Sequence, residues 1–441
     1  MPRLHALDAV WLELERPGPS LATGLVALLD GPAPPVSDVR AMVAERLSDV
    51  PALRWVLADE HGVRRPRWVD AGAPDLVHHV WSRRIGASPR SLEELVSVVM
   101  ERPMDHRRPL WELAVVRGLA DGQWALVWRL HHAVADGQGS QALLGELFDV
   151  VPDGSRRMTD ELAALRPNAR GGQRPRSSRR DVAAHAVAGA VGGVLSALRH
   201  LPEAAHLVSD LTPRPPGTVT GALSDRRRWV LGTAPLAQAK QRARAAGVTV
   251  NDVILAAVAA GFHDMLVERG EPTADRTLRC VLPVSLRPSG DSALDNKVSA
   301  AWADLPVGRL SLAERARAIS RSTSWQKQAG TPAVGGLLFS LTDRLVPGAV
   351  QDAVVSHATW LPEWMTDTLV TNVPGAPFPL YVLGRRMHRA YPVIPADAHL
   401  RIIVGVVSHD GWLCFGVTGD GVHASDVDVL RDGALRALDE E

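Results

Sequence analysis

The stretch that most constrains the fold runs from Trp124 to Ser140, WALVWRLHHAVADGQGS. Up to His132 its side chains alternate with the period of two that is typical of a β-strand. The alternation stops at Ala133, Asp136-Gly137 is a turn signal, and the residues up to Val150 return at helical spacing. This pattern predicts a strand, a tight loop and a helix in succession.

The two adjacent histidines, His131 and His132, are predicted to point to opposite faces of this strand. Neighbours on a strand rarely converge on one ion, so a metal site is disfavoured. A neutral imidazole at the mouth of a loop can instead accept a proton from an attacking hydroxyl or amine, and the nearby carboxylate of Asp136 can fix the loop. The alternative is one core histidine, one exposed histidine and a turn-forming aspartate. Adjacency alone decides nothing, because a second pair, His78-His79, lacks the following carboxylate.

Composition excludes several classes of protein. The 441 residues carry 49 basic and 49 acidic side chains, so no net field favours nucleic acid or an anionic membrane as an obligatory partner. With 46% hydrophobic and 22% charged residues, the chain has the composition of an ordinary soluble globular protein. Cys280 and Cys414 cannot make a disulfide framework and have no metal-ligand spacing, which indicates a reducing, cytoplasmic setting.

The hydrophobic segments do not predict export or membrane spanning. Acidic residues (Asp8, Glu13 and Glu15) interrupt the beginning of the chain, where a secretion signal needs a continuous apolar run. The most hydrophobic central run, Ala186 to Leu198, is shorter than the roughly 20 residues that cross a bilayer. We expect a buried or half-buried helix there, and at most peripheral contact with a membrane or lipid droplet.

The chain divides into two similarly built halves, residues 1–150 and 225–441, in which strands alternate with amphipathic helices. Neither half shows a glycine-rich nucleotide fingerprint. Residues 151–224 are the predicted connector, and positions 166–180 within it, RPNARGGQRPRSSRR, predict an exposed linker whose basic side chains could also contact phosphates. We expect an α/β fold with two lobes.

Several individual elements can be predicted from local signals. In the first half we predict a strand over Ala22–Leu29, helical spacing from Val36 to Leu57 that is interrupted near Pro51, and a helix over Ser91–Met100 that opens on Ser91 as its N-cap. In the second half we predict a helix over Leu236–Ala246 that Gly247 closes.

One helix start in the second half is of functional interest. Thr249 is its predicted N-cap, and Asn251 and Asp252 lie in the first turn. A helix start presents N–H groups and partial positive charge to whatever faces it, but capping alone also explains the types of both residues. Nearer the C-terminus, Asp410-Gly411 predicts a tight hairpin, which makes His409 a turn residue in preference to a catalytic one.

Several motifs, taken in chain order, resemble one known family. They are LHALDAVWLELE, RRPLWELAVVRGLADGQWALVWRLHHAVADGQG, VTVNDVILA, LPVSLRP, DNKVSAAWADLPVG and TNVPGAPFPLYVLGRRM. Together they resemble the wax ester synthase/diacylglycerol acyltransferase family, which is part of the chloramphenicol acetyltransferase-like superfamily. The resemblance covers nearly the whole chain. It implies two lobes, each a mixed β-sheet packed with helices, with an active-site channel between them.

The resemblance also implies an activity. Such enzymes transfer an acyl group from a thioester, on coenzyme A or on a carrier protein, to an alcohol or amine, and need no metal or other cofactor. His132 is then the general base, with His131 as its structural neighbour. Asp136 holds the loop and Gly137 lets the backbone turn sharply behind it.

Further positions are assigned around this centre by the same resemblance. Asn251 is expected to bind the thioester carbonyl or to position the acceptor, with Asp252 beside it. Arg287 is the candidate partner of Asp136. Pro109, Leu110 and Trp111 are candidates for the channel wall, with core packing as an equally good alternative. Arg401 is a further channel candidate, on the ground of its departure from the family pattern.

The chain departs from the family pattern at three positions. Arg401 and His409 stand where an asparagine and a tyrosine are expected, and Asp295 where a glycine is common. A charge at Arg401 would disfavour an alkyl chain in the acceptor path. The leading hypothesis, which the resemblance implies, is transfer of a fatty acyl group to a long-chain alcohol or diacylglycerol, whereas the Arg401 departure motivates the alternative. The alternative is a specialised-metabolite acyltransferase with a polar or polyketide-like acceptor, and a non-catalytic scaffold of the same fold is a weaker third.

Overall fold

The computed structural model describes residues 11–12, 15, 20–47, 50–58, 67–135, 137–164, 217–285, 298–328, 366–396 and 399–440. Its helices are α1 (Val36–Leu47), α2 (Leu76–His79), α3 (Pro89–Glu101), α4 (Gly137–Gly145), α5 (Met158–Ala164), α6 (Leu236–Ala246), α7 (Val250–Glu268), α8 (Leu312–Gln328) and α9 (Val427–Asp439). Its strands are β1 (Ala22–Leu29), β2 (Trp55–Ala58), β3 (Arg67–Asp70), β4 (Val80–Arg84), β5 (Trp111–Arg117), β6 (Trp124–His131), β7 (Arg227–Pro235), β8 (Thr277–Ser285), β9 (Val298–Pro306), β10 (Thr368–Pro374), β11 (Leu380–Val382), β12 (Arg385–Val393), β13 (Ile402–His409) and β14 (Trp412–Asp420).

Six strands form the sheet of the N-terminal lobe, in the order β11-β12-β1-β6-β5-β4. β6 lies inside this sheet, antiparallel to β1 and β5, and all of its side chains are buried. The predicted alternation is confirmed, because the even-numbered residues 124–130 pack in one apolar cluster with α1, whereas Ala125 and Val127 pack in another with α3. Helices therefore cover both faces of the strand that leads to the two histidines.

A second sheet, with the order β7-β14-β13-β10-β8-β9, forms the C-terminal lobe. β10 is parallel to both of its neighbours while the other pairs are antiparallel, so this sheet is mixed, as expected. Helix α7 lies in its core. By length and composition α7 is, among the described residues, the one helix that could cross a membrane, but 67% of its most apolar window is buried inside the lobe, as in the core helix of a globular domain.

Local sequence signals located several elements correctly. β1 and α6 have their predicted bounds, and Gly247 ends α6 with a φ of 71°. The helix predicted to open on Ser91 begins at Pro89 instead, because the Ser88 hydroxyl caps it by accepting a hydrogen bond from the Arg90 N–H group. The predicted interruption near Pro51 is confirmed, because α1 ends at Leu47, but the helical pattern predicted as far as Leu57 is wrong at its end, where residues 55–58 form β2.

The two lobes share a segment of chain. After β10 in the second sheet, the chain crosses to the first sheet, where β12 pairs antiparallel with β1, and it then returns as β13 beside β10. Contacts from the second lobe hold this crossover: the Trp229 indole donates to the Pro392 carbonyl at 3.3 Å, and the hydroxyls of Thr233 and Tyr391 are 2.8 Å apart. The crossover therefore fixes one lobe on the other.

Helix α3 of the first lobe also covers an open edge of the second sheet. β7 is the outer strand there, and three of its N–H groups point away from the sheet. Alternate residues of a strand and residues four apart on a helix have similar spacings, about 6 to 7 Å. The three pairs, donor first, are Arg227 with Glu101 at 2.7 Å, Trp229 with Ser97 at 3.0 Å and Leu231 with Glu93 at 3.1 Å. The outward N–H groups of this edge strand thus find their hydrogen-bond acceptors on side chains of the first lobe.

The predicted boundaries of the three regions need correction. Residues 151–164 of the predicted connector belong to the N-terminal lobe, where Met158 enters the apolar cluster and its N–H donates to Phe148. Residues 217–224 belong to the C-terminal lobe, where Thr220 bridges to Leu400. The segment 380–393, predicted as part of the second lobe, supplies two strands of the first. The basic tract 166–180 and the run 186–198 lie outside the described residues.

Asp420, at the end of β14, anchors the beginning of the second lobe. It is fully buried, and its carboxylate accepts hydrogen bonds from the backbone N–H groups of His423 and Ser224 and from the Ser224 hydroxyl. Burial alone would raise the pKa of Asp420, but these hydrogen bonds lower it from 3.8 to about 2. The Asp420 carboxylate therefore stabilises the fold above pH 3.8, and this contribution is lost as the pH falls towards 2.

A first prediction concerns this group. We expect Asp420→Asn to be less stable than the parent at pH 5, and the difference in unfolding free energy to shrink by about 2 kcal/mol at pH 2, because the parent then loses its carboxylate. Urea unfolding at the two pH values measures the change. A difference that stays constant from pH 5 to pH 2 would contradict the assigned role.

Candidate active site

The loop after β6 begins at the two histidines. β6 ends at His131, residues 132–134 form a turn, and helix α4 begins at Gly137. The backbone N–H of His131 donates to the Leu110 carbonyl at 3.0 Å, and that of His132 donates to the Leu21 carbonyl at 3.3 Å. Both residues are therefore held to neighbouring chain segments at the end of an inner strand.

His132 is half-buried and lies against an aromatic ring from the beginning of the chain. Its imidazole stacks on the Trp11 indole, with ring centroids 4.1 Å apart and planes 19° from parallel. One face of the imidazole is thus covered by an apolar surface. The position suits a group that takes up and releases a proton while water is kept from one side.

His131 is fully buried in a hydrogen-bonded cluster. Its Nδ1 atom accepts the Ala133 N–H at 3.1 Å, so the ring proton belongs on Nε2, which faces the Glu15 Oε2 atom at 3.2 Å. The Nε2 atom of His106 is 2.8 Å from the same oxygen. Burial would raise the pKa of Glu15, but the hydrogen bonds from His106 and His131 hold it well below its usual range.

The alternation of side chains along β6 does not extend to the second histidine, His132. The strand ends at His131, so His132 is already a turn residue. Both imidazoles meet the same N-terminal segment, His131 through Glu15 and His132 through Trp11. The prediction of opposite faces therefore describes β6 and not the loop that follows it.

At the start of helix α7, the two predicted residues Asn251 and Asp252 have different hydrogen-bond partners. Thr249 caps the helix, and the Thr249–Asp252 capping box is complete, with Asp252 also accepting from the Thr323 hydroxyl at 3.4 Å. Both oxygens of Asp252 are thus used within the second lobe. Asn251 instead accepts a hydrogen bond from Asn372 of β10 at 3.2 Å, which makes it the member of the pair that faces another element.

Two of the candidate channel residues, Leu110 and Trp111, take the alternative core-packing role. Leu110 and Trp111 are each only 1% exposed. The Trp111 indole donates to the Leu53 carbonyl at 2.9 Å and stacks on the imidazole of His79. His79, from the other histidine pair of the chain, therefore has a packing role. Pro109 is half-buried at the start of this segment.

Arg401 also has a structural role in place of the predicted channel position. Its guanidinium donates to the backbone carbonyls of Ala222 at 3.2 Å and Thr218 at 3.3 Å, and so holds the entry of the second lobe. It precedes β13, whereas His409 ends the same strand about 26 Å away at the usual rise of a strand. The residues of β13 that line an apolar cavity between the lobes lie at the His409 end of the strand, away from Arg401.

The cavity between the lobes has a volume of about 110 Å³ and a mostly apolar lining. It lies between β1, helix α4 and the strands β10, β12 and β13. Ser140 from the helix that follows the histidine loop lines it, as do Thr371 and Val373, which flank Asn372. The cavity is therefore lined by the helix that follows the histidine loop and by the strand that bonds to Asn251, but His132 and Asn251 are not among its lining residues.

His409 lines this cavity and is not simply a turn residue. It is buried as the last residue of β13, pairs with Trp412, and its two ring nitrogens face the carbonyls of Ala376 and Met387, each at 3.2 Å. The hairpin prediction itself is confirmed, because Asp410 and Gly411 have φ values of 44° and 83°. Asp136 and Arg287 lie outside the described residues.

Family models match both lobes. The model of the wax ester synthase/diacylglycerol acyltransferase catalytic domain matches residues 4–254, and the model of the C-terminal domain of the same family matches residues 294–440. The chain belongs to this family. It is an acyltransferase.

Curated relatives of this acyltransferase cover almost the whole chain. A Mycobacterium tuberculosis protein named as a probable diacylglycerol O-acyltransferase, tgs1, is 35% identical over 455 aligned positions, which cover 99% of this chain and 95% of the relative. A second protein of that organism, tgs2, named in the same way, is 30% identical and covers 81% of this chain and 79% of its own length.

Solved structures confirm the fold of the acyltransferase. The wax ester synthase/diacylglycerol acyltransferase from Marinobacter aquaeolei VT8 superposes with a TM-score of 0.73 at 22% identity, covering 100% of this chain and 98% of that one. The first condensation domain of the calcium-dependent antibiotic synthetase, in complex with a substrate analogue, gives a TM-score of 0.62 at 17% identity, with 100% and 96% coverage. The predicted two-lobed chloramphenicol acetyltransferase-like fold is therefore confirmed.

Sequence reasoning missed three residues around the histidine loop: Trp11, Glu15 and His106. The first two lie in the LHALDAVWLELE motif, so the resemblance marked their segment without giving it a role. His106 had no distinguishing signal. Their proximity depends on contacts between residues 91 and 116 positions apart in the chain, and no local spacing encodes such contacts.

Proposed function

We propose that this acyltransferase moves a fatty acyl group from acyl-coenzyme A to the hydroxyl of a long-chain alcohol or diacylglycerol, with His132 as the general base. The observation that carries this proposal is the position of His132, half-buried at the end of an inner strand in the histidine loop of the family. The apolar cavity between the lobes suits an alkyl chain. The relatives named as diacylglycerol O-acyltransferases support the choice of acceptor.

In the proposed reaction, His132 accepts the proton of the acceptor hydroxyl as its oxygen attacks the thioester carbonyl. The tetrahedral intermediate then expels the coenzyme A thiolate, and the imidazolium returns the proton to that sulfur. The acceptor becomes an ester and coenzyme A leaves as the thiol, so no group on the enzyme is consumed.

The Asn251 side chain is our candidate donor to the developing oxyanion. Its Oδ1 atom accepts the bond from Asn372, which leaves the NH₂ group of Asn251 as a donor. Asp136 is proposed to hold the loop and Arg287 to pair with it. His131 supports the loop through its bond to Glu15 and has no direct part in proton transfer.

A second prediction follows from the cavity. Ala390 and Leu144 both line it, so Ala390→Val should reduce its volume and Leu144→Ala should enlarge it. We expect the first variant to shift the preference towards shorter chains and the second towards longer ones, by roughly tenfold in relative kcat/KM, because each CH₂ is worth about 0.8 kcal/mol of burial. Competition between acyl-coenzyme A donors of different length measures the shift. Equal profiles for the two variants would remove the cavity from the proposal.

One assay separates the leading function from its alternative. Purified protein is given a panel of acyl-coenzyme A and carrier-protein donors with long-chain alcohols, diacylglycerol and polar alcohols or amines, and products are identified by mass. Wax ester or triacylglycerol is the expected product. Turnover of polar acceptors alone would favour the specialised-metabolite function, which has lost its main support because Arg401 binds backbone carbonyls of the lobe entry. Inactivity with every pair would favour a scaffold.

Lipid acceptors are poorly soluble in water, so we propose that they reach the enzyme from a membrane or lipid-droplet surface by peripheral contact. The catalysis described above takes place on the cytoplasmic side of such a surface. Co-flotation with lipid vesicles tests this part independently of turnover. Protein that stays at the bottom of the gradient under all conditions would contradict it.

A further inference from the structure

We propose that Trp11 and Glu15 are positioning residues for His132: the buried Glu15 carboxylate fixes the N-terminal segment, and this places the Trp11 indole face to face with the imidazole that takes up the proton. The inference rests on the proposed role of His132 as the base. It goes beyond that role, because it assigns the control of the base to a segment that lies more than 100 residues away in the chain.

The stacked geometry carries the first step. The rings of Trp11 and His132 are nearly parallel, with centroids 4.1 Å apart, so the imidazole lies over the electron-rich face of the indole. A neutral imidazole gains little charge-dependent stabilisation there, whereas an imidazolium is attracted by the ring quadrupole. His132 becomes an imidazolium as it removes the proton of the acceptor. The indole therefore favours the transition state over the resting state.

The Glu15 cluster carries the second step. Glu15 is 6% exposed, and its Oε2 atom faces the Nε2 atoms of both His131 and His106. Its other oxygen, Oε1, is buried and accepts no hydrogen bond from the described residues. The two imidazoles are thus the polar anchor of this carboxylate, while Leu12, between Trp11 and Glu15 in the chain, is buried in the apolar cluster beneath.

The same three residues, Glu15, His106 and His131, have ligand atoms within 4.8 Å of one another and could be taken for a metal site. The tautomer of His131 argues against that assignment. Its Nδ1 atom accepts the Ala133 N–H, so Nε2 carries the proton and has no lone pair to offer a metal ion. With Nδ1 accepting the Ala133 N–H and Nε2 donating to Glu15, both nitrogens of the His131 ring have hydrogen-bond partners.

The chain thereby links its two histidines through one segment. His131 binds Glu15, Glu15 holds the segment, and Trp11 of that segment covers His132. The charged and titratable groups that act on Glu15 are His106, His131 and the buried Arg129 of β6. This arrangement gives the first histidine of the pair a function that does not require contact with substrate.

The first test compares Trp11→Leu and Trp11→Phe with Trp55→Leu. Leucine keeps the imidazole covered but removes the ring face, and phenylalanine restores a ring. Trp55 is the control because it is a half-buried tryptophan that packs against the same apolar cluster and stacks on Trp68. We expect Trp11→Leu to lower kcat roughly 3- to 30-fold with little change in KM, Trp11→Phe to recover part of the loss, and Trp55→Leu to change neither.

The pH profile separates positioning from a general loss of structure. The rate depends on neutral His132, so kcat/KM falls on the acid side as the base becomes protonated. The indole favours the protonated form, so its removal should lower the pKa of His132 and move the acid limb of Trp11→Leu to lower pH by up to about one unit. An acid limb and plateau identical to those of the parent would overturn the assignment of Trp11.

A double-mutant cycle tests Glu15. Glu15→Gln keeps the size of the side chain but removes the charge, and we expect a loss of kcat similar to that of Trp11→Leu. If Glu15 acts through Trp11, the double variant should be no slower than the slower single variant, whereas multiplied effects would contradict the linkage. Elemental analysis of the purified protein adds a separate readout, because a stoichiometric metal that is lost in Glu15→Gln would overturn the hydrogen-bonded assignment.

The activity of His132→Ala distinguishes a failure of the general-base role of His132 from a failure of the positioning role of Trp11. An active His132→Ala variant would refute the general-base function, and with it the reason for a positioned indole. An inactive His132→Ala variant beside a Trp11→Leu variant that matches the parent would refute the positioning role alone.

Discussion

Replacing His132 by alanine is expected to lower kcat about 10²- to 10⁴-fold, which is the usual contribution of a positioned general base. The fold should survive, because the imidazole lies half-buried at the end of β6, where its backbone N–H still bonds to Leu21. Coenzyme A release in the presence of a long-chain alcohol, with the ester identified by mass, measures the effect. KM for both substrates should change much less than kcat.

The control for this experiment is His78→Ala. His78 is the exposed member of the other histidine pair, and its loss should leave turnover unchanged. Melting temperatures of both variants show whether the fold is kept. A His132→Ala enzyme with near-parental turnover would remove the base from the mechanism, and a variant that melts far below the parent would make the activity loss uninformative about chemistry.

The second large effect is expected for Gly416→Val, in the strand of the second lobe that lies against the crossover. A Cβ atom at Gly416 would lie 1.8 Å from the Pro392 carbonyl oxygen, which is a backbone atom of β12 and cannot move without its strand. The lobes must separate locally to admit a side chain. We expect a loss of about 3 kcal/mol or more in unfolding free energy, at the upper end of overpacking effects.

Chemical denaturation measures this loss, and Gly308→Ala is the matched control. At Gly308 the first atom that a Cβ would meet is 3.5 Å away, an ordinary contact distance. We expect that variant to keep its stability to within about 0.5 kcal/mol. If Gly416→Val were as stable as Gly308→Ala, the close approach of β14 and β12 would have no part in holding the lobes together.

Prediction from the sequence was most accurate where one element carries its own signal. The alternation along β6 correctly separated its apolar side chains onto two faces, and the Thr249 cap was located to the residue. These features depend on spacings of two to four residues. The resemblance of ordered motifs then gave the family and the two-lobed fold, which the family models and the solved structures confirm.

Predictions failed where a residue's role depends on partners remote in sequence. Arg401 looked like a charge in the acceptor path, but its partners are carbonyls near residue 220, about 180 positions earlier in the chain. For Leu110 and Trp111 a channel role and core packing were both open from the sequence, and their burial in the clusters beneath α1 and α3 decides for core packing. The crossover of residues 380–393 was assigned to the wrong sheet because a strand's own pattern does not name its neighbour.

The sequence by itself determined that the chain presents His132 at the end of a strand, in the histidine loop of an acyltransferase family. It could do so because strand period, turn residues and motif order are all local properties of the chain. Only the tertiary structure decided that Trp11 covers this histidine, that Glu15 binds its neighbour, and that β12 joins the two lobes. Those contacts arise from packing between distant segments, and their energies exist only once the lobes have assembled.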